Sequence, residues 1–268
     1  MSVRHHPIKS LGQHFLSDIR IQQKIVGSAL FQDSDTVLEI GPGKGAITKR
    51  ILPLVKKLIA IERDKNLVAL LKEECQESHL EIIQGDFLKL DMDPFPAGLI
   101  VMGNIPYYIS TPIIEKILTH KDKIQRAFLT VQWEFGQRLA AQAGNKDYGS
   151  LSCFIQYYAD VKVLFKISSA CFSPRPKVDS CFVTLAIKTI PGHRGEKNAL
   201  PVQAEDERKL FNMIQKAFTQ RRKTIVNALQ MTTHKADLLL LLERLHINPQ
   251  ARPEDLTLFN YIELSNAL

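Results

Sequence analysis

Short apolar runs alternate along the chain with longer segments in which apolar residues recur every three to four positions. The runs are typical of buried β-strands, and the longer period is typical of amphipathic helices. Strands are predicted at 36–40, 57–62, 80–84, 99–102, 127–132, 161–167 and 181–187, and helices at 19–26, 46–54, 64–75, 112–118, 135–143 and 151–158. The pattern predicts an α/β protein in which the last two strands form a closing pair.

The C-terminal part of the chain has a different pattern. Residues 189–204 have the composition of a linker, rich in proline, glycine and charge. Beyond Glu205 the pattern is helical, and the first helix has an apolar face made of Leu210, Phe211, Ile214, Ala217 and Phe218. We therefore predict a domain over 1–188, a linker over 189–204 and a small helical domain over 205–268.

Glycines and acidic residues stand where the first three strands end. The first strand runs into a turn with Gly41 and Gly43, which let the backbone approach a ligand closely. The turn fits a dinucleotide fingerprint but not a phosphate-binding P-loop, and a tight turn without a ligand is the alternative. At the next two strand ends, Glu62 can accept both hydroxyls of a ribose, and Asp86 can accept an adenine amine. This set predicts a site for a nucleoside-containing cofactor.

The segment Asn104-Ile105-Pro106-Tyr107 follows the fourth strand. Pro106 favours an extended Ile105, so the segment offers an amide oxygen, a free carbonyl and an aromatic face. A purine amine can donate to both oxygens while its ring stacks on Tyr107. A plain loop that begins with Asn-x-Pro is the alternative. We predict that this segment presents the exocyclic amine of a flat base for reaction.

Length and composition exclude several classes of protein. The 268 residues are enough for one large domain and a small one, with 45% hydrophobic and 24% charged residues. No apolar run approaches the roughly 20 residues that cross a bilayer, and residues 1–7 lack the apolar core of a secretory signal. The four cysteines have no metal or disulfide spacing, so we expect no metal, reduced thiols and a cytoplasmic location.

Positive charge predicts a polyanionic partner. The formal net charge is +7, and the pI is about 9.2. Two groups of cations are candidates for RNA contact: Arg175 and Lys177 in a proline-rich loop that starts at Phe172, and Arg221-Arg222-Lys223 after the first C-terminal helix. We take the latter three to be helical, so at most two can reach one phosphate track, since helical neighbours point about 100° apart. A solvated helix face is the alternative.

The chain resembles the small-subunit ribosomal RNA adenine N6,N6-dimethyltransferases over almost its whole length. The residues that carry the resemblance are Gly12-Gln13-His14-Phe15-Leu16, Glu39-Ile40-Gly41-Pro42-Gly43, Glu62-Arg63-Asp64, Gly85-Asp86, Asn104-Ile105-Pro106-Tyr107, Phe172-x-Pro174-x-Pro176-x-Val178-Asp179-Ser180 and Phe218-x-x-Arg221-Arg222-Lys223-Thr224. Two positions depart from the pattern: His14 stands where many members have Asn, and Trp133 where the residue is often basic.

The resemblance implies a Rossmann-like methyltransferase sheet with a small all-helical C-terminal domain. It implies S-adenosylmethionine as cofactor, held by His14, Leu16, Gly41, Glu62, Asp86 and Asn104. The implied substrate is a pair of adjacent adenosines in a hairpin loop near the 3′ end of small-subunit rRNA in a pre-ribosomal particle. Tyr107 would hold one face of the adenine, and Phe172 is the candidate for the other. We expect a monomer.

Three alternatives stand beside this prediction. An NAD-dependent dehydrogenase would use the glycine turn but does not explain the segment 104–107. A large-subunit rRNA adenine methyltransferase that confers antibiotic resistance would share the core motifs. A ribosome-assembly or transcription factor could keep the fold as a binding module. The proline loop and the cations at 221–223 favour the small-subunit enzyme.

Overall fold

The computed structural model of the chain describes residues 13–188, 203–230 and 234–268. The chain divides into two compact units, Met1–Gly136 with Asp160–Ile187, and Gln137–Ala159 with Lys188–Leu268. The predicted boundary assigned 137–159 to the first domain instead. The difference arises because Tyr148, Cys153 and Tyr157 of this segment belong to the apolar core of the second unit.

The first unit is built on a seven-stranded sheet with the order β4-β3-β2-β5-β6-β9-β7. Five neighbouring strands are parallel, and β9 returns antiparallel to β6. A separate antiparallel pair joins β1 to β8. The strands are β1 Phe15–Leu16, β2 Thr36–Ile40, β3 Lys57–Glu62, β4 Leu80–Gln84, β5 Leu99–Asn104, β6 Ile124–Gln132, β7 Ala159–Ile167, β8 Phe172–Ser173 and β9 Ser180–Ile187.

Helices follow most of the parallel strands. They are α1 Ile19–Ala29, α2 Thr48–Ile51, α3 Lys65–Glu74, α4 Ser110–Thr119 and α5 Trp133–Ala140, the last of which crosses the boundary between the units. The carboxylates of Asp18 and Asp64 cap the first turns of α1 and α3 by accepting backbone N–H groups. The α/β alternation and the closing strand pair that the sequence predicts are confirmed.

Two helix boundaries differ from the prediction. The helix expected over 46–54 is only one turn of α-helix, Thr48–Ile51, followed by the 3₁₀ turn Leu52–Leu54. Pro53 explains this, because it has no N–H to continue the α-helical ladder. Helix α4 begins at Ser110, so Pro112 lies at its third position rather than its first, where a missing N–H is still tolerated.

The second unit is helical. After α5 it contains α6 Ser150–Tyr158, α7 Glu207–Thr219, α8 Ile225–Leu229, α9 Lys235–Arg244 and α10 Leu258–Ala267. The predicted apolar face of α7 is confirmed in part, since Leu210, Ile214 and Ala217 are buried in the core of this unit. The predicted fold class, a Rossmann-like α/β sheet with a helical C-terminal part, is confirmed. No helix among the described residues is long and apolar enough to span a membrane.

Candidate active site

The carboxyl ends of neighbouring strands bring the predicted site residues to one edge of the sheet. Strand β2 lies between β3 and β5, and in register Ile40 faces Ile61 on one side and Gly103 on the other. Beyond these ends lies a cavity of about 430 Å³, a volume usual for small-molecule sites. The predicted cofactor residues and the segment 104–107 all line it. The residues predicted from the ends of the strands therefore line one site.

The glycine turn adopts a backbone that side chains disfavour. Gly41 and Gly43 have φ values of +66° and +60°, in the left-handed region. A Cβ atom on Gly43 would lie 3.1 Å from the ring of Phe15, which covers the turn. A larger residue at this position would strain the backbone and collide with that ring.

Glu62 is a buried acid that is already hydrogen bonded. One of its carboxylate oxygens accepts the Gly43 N–H at 3.1 Å, and the other accepts the Asp64 N–H at 2.9 Å. Burial raises the pKa of Glu62, and the backbone N–H groups offset part of this shift because they favour the ionised form. Each carboxylate oxygen keeps a second lone pair, so Glu62 can also accept hydroxyl groups of a ligand.

Asp86 follows β4 and is only partly buried. Its Oδ1 accepts the Leu88 N–H at 3.0 Å, which starts the 3₁₀ turn Phe87–Lys89. Its Oδ2 lies 3.9 Å from the Arg63 guanidinium, a distance that gives only a loose ion pair. This oxygen remains able to accept a ligand amine at the cavity wall.

Glu39 is a further acid of the site that the sequence prediction did not assign. Its side chain is 3% exposed, and its Oε2 has no hydrogen-bond partner among the described residues. Burial, and to a lesser degree the charge of Glu62, raises the pKa of Glu39 to about 7. The Thr48 hydroxyl is near enough to offset part of the shift, but its geometry does not make a hydrogen bond.

Residues 13–17 form a strap that lies along the cavity and is held by strand pairing. In the β1–β8 pair, Phe15 faces Ser173, and Leu16 faces Phe172. His14 Nδ1 donates to the Pro174 carbonyl at 2.7 Å, which fixes the orientation of the ring. His14 lines the cavity, whereas Leu16 is buried and contributes to its wall. Both predicted strap residues therefore lie at the site.

The segment 104–107 is oriented by contacts on both sides. Asn104 Nδ2 donates to the His14 carbonyl at 2.9 Å, and Asn104 Oδ1 accepts no hydrogen bond from any described residue. The Tyr107 hydroxyl lies 2.6 Å from Ser180 Oγ, and burial raises its pKa, so it stays a neutral phenol. Its ring lies parallel to that of His14, with centroids 6.1 Å apart. Ile105 is buried, and Pro106 lines the cavity.

The profile of the ribosomal RNA adenine dimethylase family matches residues 4–268. The chain belongs to this family. The ribosomal RNA small subunit methyltransferase A of Moorella thermoacetica is 39% identical, over 98% of this chain and 92% of that protein. A dimethyladenosine transferase from Plasmodium falciparum is 28% identical, with a TM-score of 0.79 over 94% of this chain and 96% of that one. The resemblance seen in the motifs is thus confirmed.

A more distant solved structure has a similar fold. It is a 23S rRNA methyltransferase, 23% identical, with a TM-score of 0.74 over 95% of this chain and 99% of that one. At this identity the likeness shows the fold alone.

Phe172 is the one aromatic residue of the family motifs that the structure does not bring to the predicted place. It is 4% exposed and packs in the apolar core of the first unit. It faces Leu16 in the β1–β8 pair and is not part of the cavity lining. The prediction that Phe172 covers the second face of an adenine is wrong for this structure, because strand pairing turns the ring inward. The ring that faces Tyr107 is that of His14.

The basic residues differ in how far they are engaged. Arg175 is exposed, but its Nε donates to Ser169 Oγ at 3.0 Å, while Lys177 is exposed. In the second unit, the Arg221 guanidinium binds the Glu254 carboxylate at 2.7 Å and the Lys146 carbonyl at 2.8 Å. These contacts hold Arg221 in place.

The cations at 221–223 are not helical. Helix α7 ends at Thr219, and the three residues lie in the turn that follows. The argument from helical spacing is therefore wrong for this cluster. The side chains of Arg222 and Lys223 are exposed and make no hydrogen bond or ion pair within the described ranges.

One partly buried contact near the cavity was suggested by no motif, and its residue, Lys116, is not part of the cavity lining. Lys116 on α4 donates to the carbonyls of Leu88 and Leu90, and its ammonium lies 5.3 Å from the centre of the Phe87 ring. Burial lowers its pKa. Lys116 ties the turn after Asp86 to the helix that follows Tyr107. Within the described part of the chain, no group of three or more His, Cys, Asp and Glu side chains could hold a metal ion.

Proposed function

We propose that the protein transfers methyl groups from S-adenosylmethionine to N6 of two adjacent adenosines, in a hairpin loop near the 3′ end of small-subunit rRNA. Family membership supports the reaction class. The orientation of Asn104 carries the proposal: its NH₂ is engaged by the His14 carbonyl, so its Oδ1 is left for an incoming amine. A base amine is a donor that fits such an acceptor.

The chemistry of the cavity lining supports S-adenosylmethionine as the cofactor. The unpartnered Oε2 of Glu39 is a buried acceptor that suits a cationic ligand, since the amino-acid part of S-adenosylmethionine carries an ammonium group. Glu62 would hold the ribose hydroxyls, and Asp86 the adenine amine. The left-handed conformations of Gly41 and Gly43 would let the backbone approach the ligand closely. His14 and Leu16 would close the site from the strap.

The chain's own residues would supply orientation and polarisation. When bound, S-adenosylmethionine supplies an electrophilic methyl group on a positively charged sulfur, which leaves without a metal. Asn104 Oδ1 and the Ile105 carbonyl would accept the two N–H groups of the amine and turn its lone pair away from the ring. Pro106 favours an extended Ile105, and Tyr107 would support one face of the purine. The amine is neutral, so its proton can leave after attack without a strong base.

RNA would be held by exposed cations. Arg222 and Lys223 are exposed, as are Arg175 and Lys177 in the proline loop. Phosphate contacts of this kind position a nucleic acid without reading its sequence. The choice of adenosine would then come from the segment 104–107, because only an unpaired base can enter the cavity.

Methylation of ribosomal particles tests the proposal directly. Small subunits that lack the modification are incubated with the protein and S-adenosylmethionine labelled in the methyl group, and the modified nucleosides are mapped. We expect N6-dimethyladenosine at two adjacent positions. Large subunits are the control. Label in the large subunit would favour the resistance-type enzyme, and binding to small subunits without transfer of label would favour an assembly factor.

A further inference from the structure

Tyr108 is an exposed aromatic residue at the cavity, directly after the segment that receives the amine. Its side chain is 60% exposed, whereas the preceding Tyr107 is half-buried. Both belong to the 3₁₀ turn Tyr107–Ile109, and both line the cavity. Tyr107 is fixed by Ser180, but Tyr108 has no hydrogen bond or ring contact with any residue that the structure describes.

Other large apolar side chains of the chain are exposed too, but Tyr108 is one that lines the cavity. Of the two tyrosines on this short turn, Tyr107 lies inside the cavity and Tyr108 lies at its rim. Exposed cations line the same cavity: Lys44 on the glycine turn and Arg63 beyond β3. Aromatic stacking surfaces and cations are the groups by which proteins hold single-stranded nucleic acid.

The connectivity of a nucleic acid strand places a second base at this rim. A base that enters the cavity leaves its stack, and the next base in the strand is only one phosphate away. That neighbour loses a stacking partner and cannot follow into the cavity. An aromatic ring at the rim can replace the lost partner, as aromatic side chains do for splayed RNA bases.

We propose that Tyr108 is the platform on which the base next to the target adenosine stacks. For one of two adjacent target adenosines, this neighbour is the second target. Tyr108 thus holds one adenosine of the pair at the rim while the other reacts. The inference rests on the proposed function, because it needs a single-stranded RNA substrate with its target base in the cavity.

The first test separates binding of RNA from chemistry. Tyr108→Ala raises KM for unmethylated small subunits roughly tenfold and leaves kcat within about threefold, because stacking on an aromatic ring contributes to RNA binding. Tyr108→Phe keeps the ring and retains the KM of the wild-type protein. The affinity for S-adenosylhomocysteine, measured by calorimetry, stays the same in both variants. An unchanged KM in the alanine variant overturns the inference.

The second test identifies the stacked base. Filter binding compares a hairpin RNA carrying the adenosine pair with the same RNA made abasic at the 5′ or the 3′ neighbour of the target. Loss of the stacked base weakens binding to wild-type protein but not to Tyr108→Ala, so the two changes are non-additive at one neighbour only. Additive effects at both neighbours overturn the inference.

The two tests distinguish the inference from the function on which it rests. If the wild-type protein methylates adjacent adenosines but both Tyr108 tests fail, only the platform is wrong. If the wild-type protein methylates no rRNA, the proposed function is wrong, and the platform falls with it. A loss of cofactor affinity in Tyr108→Ala would assign the ring to the cofactor and overturn the platform alone.

Discussion

The amide of Asn104 illustrates how a single hydrogen bond sets the direction of a functional group. An amide can face either way, but the His14 carbonyl at 2.9 Å can only accept, so the NH₂ turns toward it. The oxygen is then directed away from the strap. At this scale, the site depends on which lone pairs and N–H groups the protein leaves unused.

Replacement of Asn104 tests this orientation. Asn104→Ala is expected to lower kcat about a hundredfold, since one aligned hydrogen bond in such a site contributes about 3 kcal/mol. The affinity for S-adenosylhomocysteine should change much less, because Glu62 and Asp86 hold the nucleoside from other strand ends. Methyl incorporation and calorimetry measure the two effects.

The control for Asn104 is the change to aspartate. Asn104→Asp keeps an acceptor oxygen but cannot donate to the His14 carbonyl, so it separates the contact with the amine from the contact with the strap. Turnover near that of the wild type in the alanine variant would contradict the proposed role.

Glu62 combines a structural and a ligand-binding contact. Glu62→Ala removes the acceptor for the Gly43 and Asp64 N–H groups as well as for the ribose. We expect the Kd for S-adenosylhomocysteine to rise at least tenfold, because hydrogen bonds to a charged group are worth about 1.5–3 kcal/mol. The melting temperature without ligand should fall too. Glu62→Gln keeps one acceptor oxygen, so we expect its Kd to lie between those of the wild type and Glu62→Ala. An unaltered Kd in both variants would show that Glu62 has only a structural role.

Residue positions at strand ends could be predicted, whereas packing across the chain could not. The apolar runs locate the strands, so Glu62, Asp86 and Asn104 follow from local pattern alone. Phe172 does not, because its place depends on pairing with Leu16, far away along the chain. Nothing in the segment around Phe172 indicates which face the ring will take. Glu39 was missed for a similar reason: its burial comes from neighbouring strands.

At the scale of elements, the end of α7 decides which cations are available. The helix stops at Thr219, and Arg221 then binds Glu254 in the same unit. The sequence predicted the cluster but not this division, since the helix end and the ion pair both depend on tertiary packing. Arg222 and Lys223 remain exposed.

Because Arg221 is held by Glu254 while Arg222 and Lys223 are exposed, we predict that replacing them affects RNA binding differently. The double change Arg222→Ala with Lys223→Ala should lower the magnitude of the slope of log affinity against log salt by about one to two, because each phosphate contact contributes nearly one unit. Arg221→Ala is the matched control: it should lower the melting temperature slightly, as an exposed ion pair does, and change the slope less. Filter binding across salt concentrations measures the slopes. Equal slopes for the wild type and the double variant would leave Arg222 and Lys223 as solvated residues.

At the scale of the whole molecule, the alternation of strands and helices was sufficient to predict the α/β class. The grouping of 137–159 with the C-terminal helices was not predictable. Sequence order and linker composition placed the boundary at a proline- and glycine-rich segment. In the structure the second unit begins at Gln137 instead, because Tyr148 and Tyr157 pack in its apolar core.

Stability as a function of pH is a property of the whole molecule that one residue should control. Burial raises the pKa of Glu39 to about 7 from an ordinary 4.5, so between these values the folded state holds a proton that the unfolded state has released. Stability therefore falls as pH rises through this window and levels off above about 7, with a total loss of about 3 kcal/mol. Below pH 4.5 the contribution is fully present.

Glu39→Gln removes this titration while keeping the shape of the side chain. The melting temperature of the variant, relative to the wild type, should rise as pH increases from 5 to 8, because only the wild type then acquires a buried charge. The matched control is Glu73→Gln on the exposed side of α3, which replaces a solvent-exposed carboxylate with an amide. Thermal melting without ligand, at several pH values, measures the differences. If the Glu39→Gln difference is the same at every pH, then Glu39 is ionised or neutral throughout, and its unpartnered oxygen does not govern the stability of the cofactor-free protein.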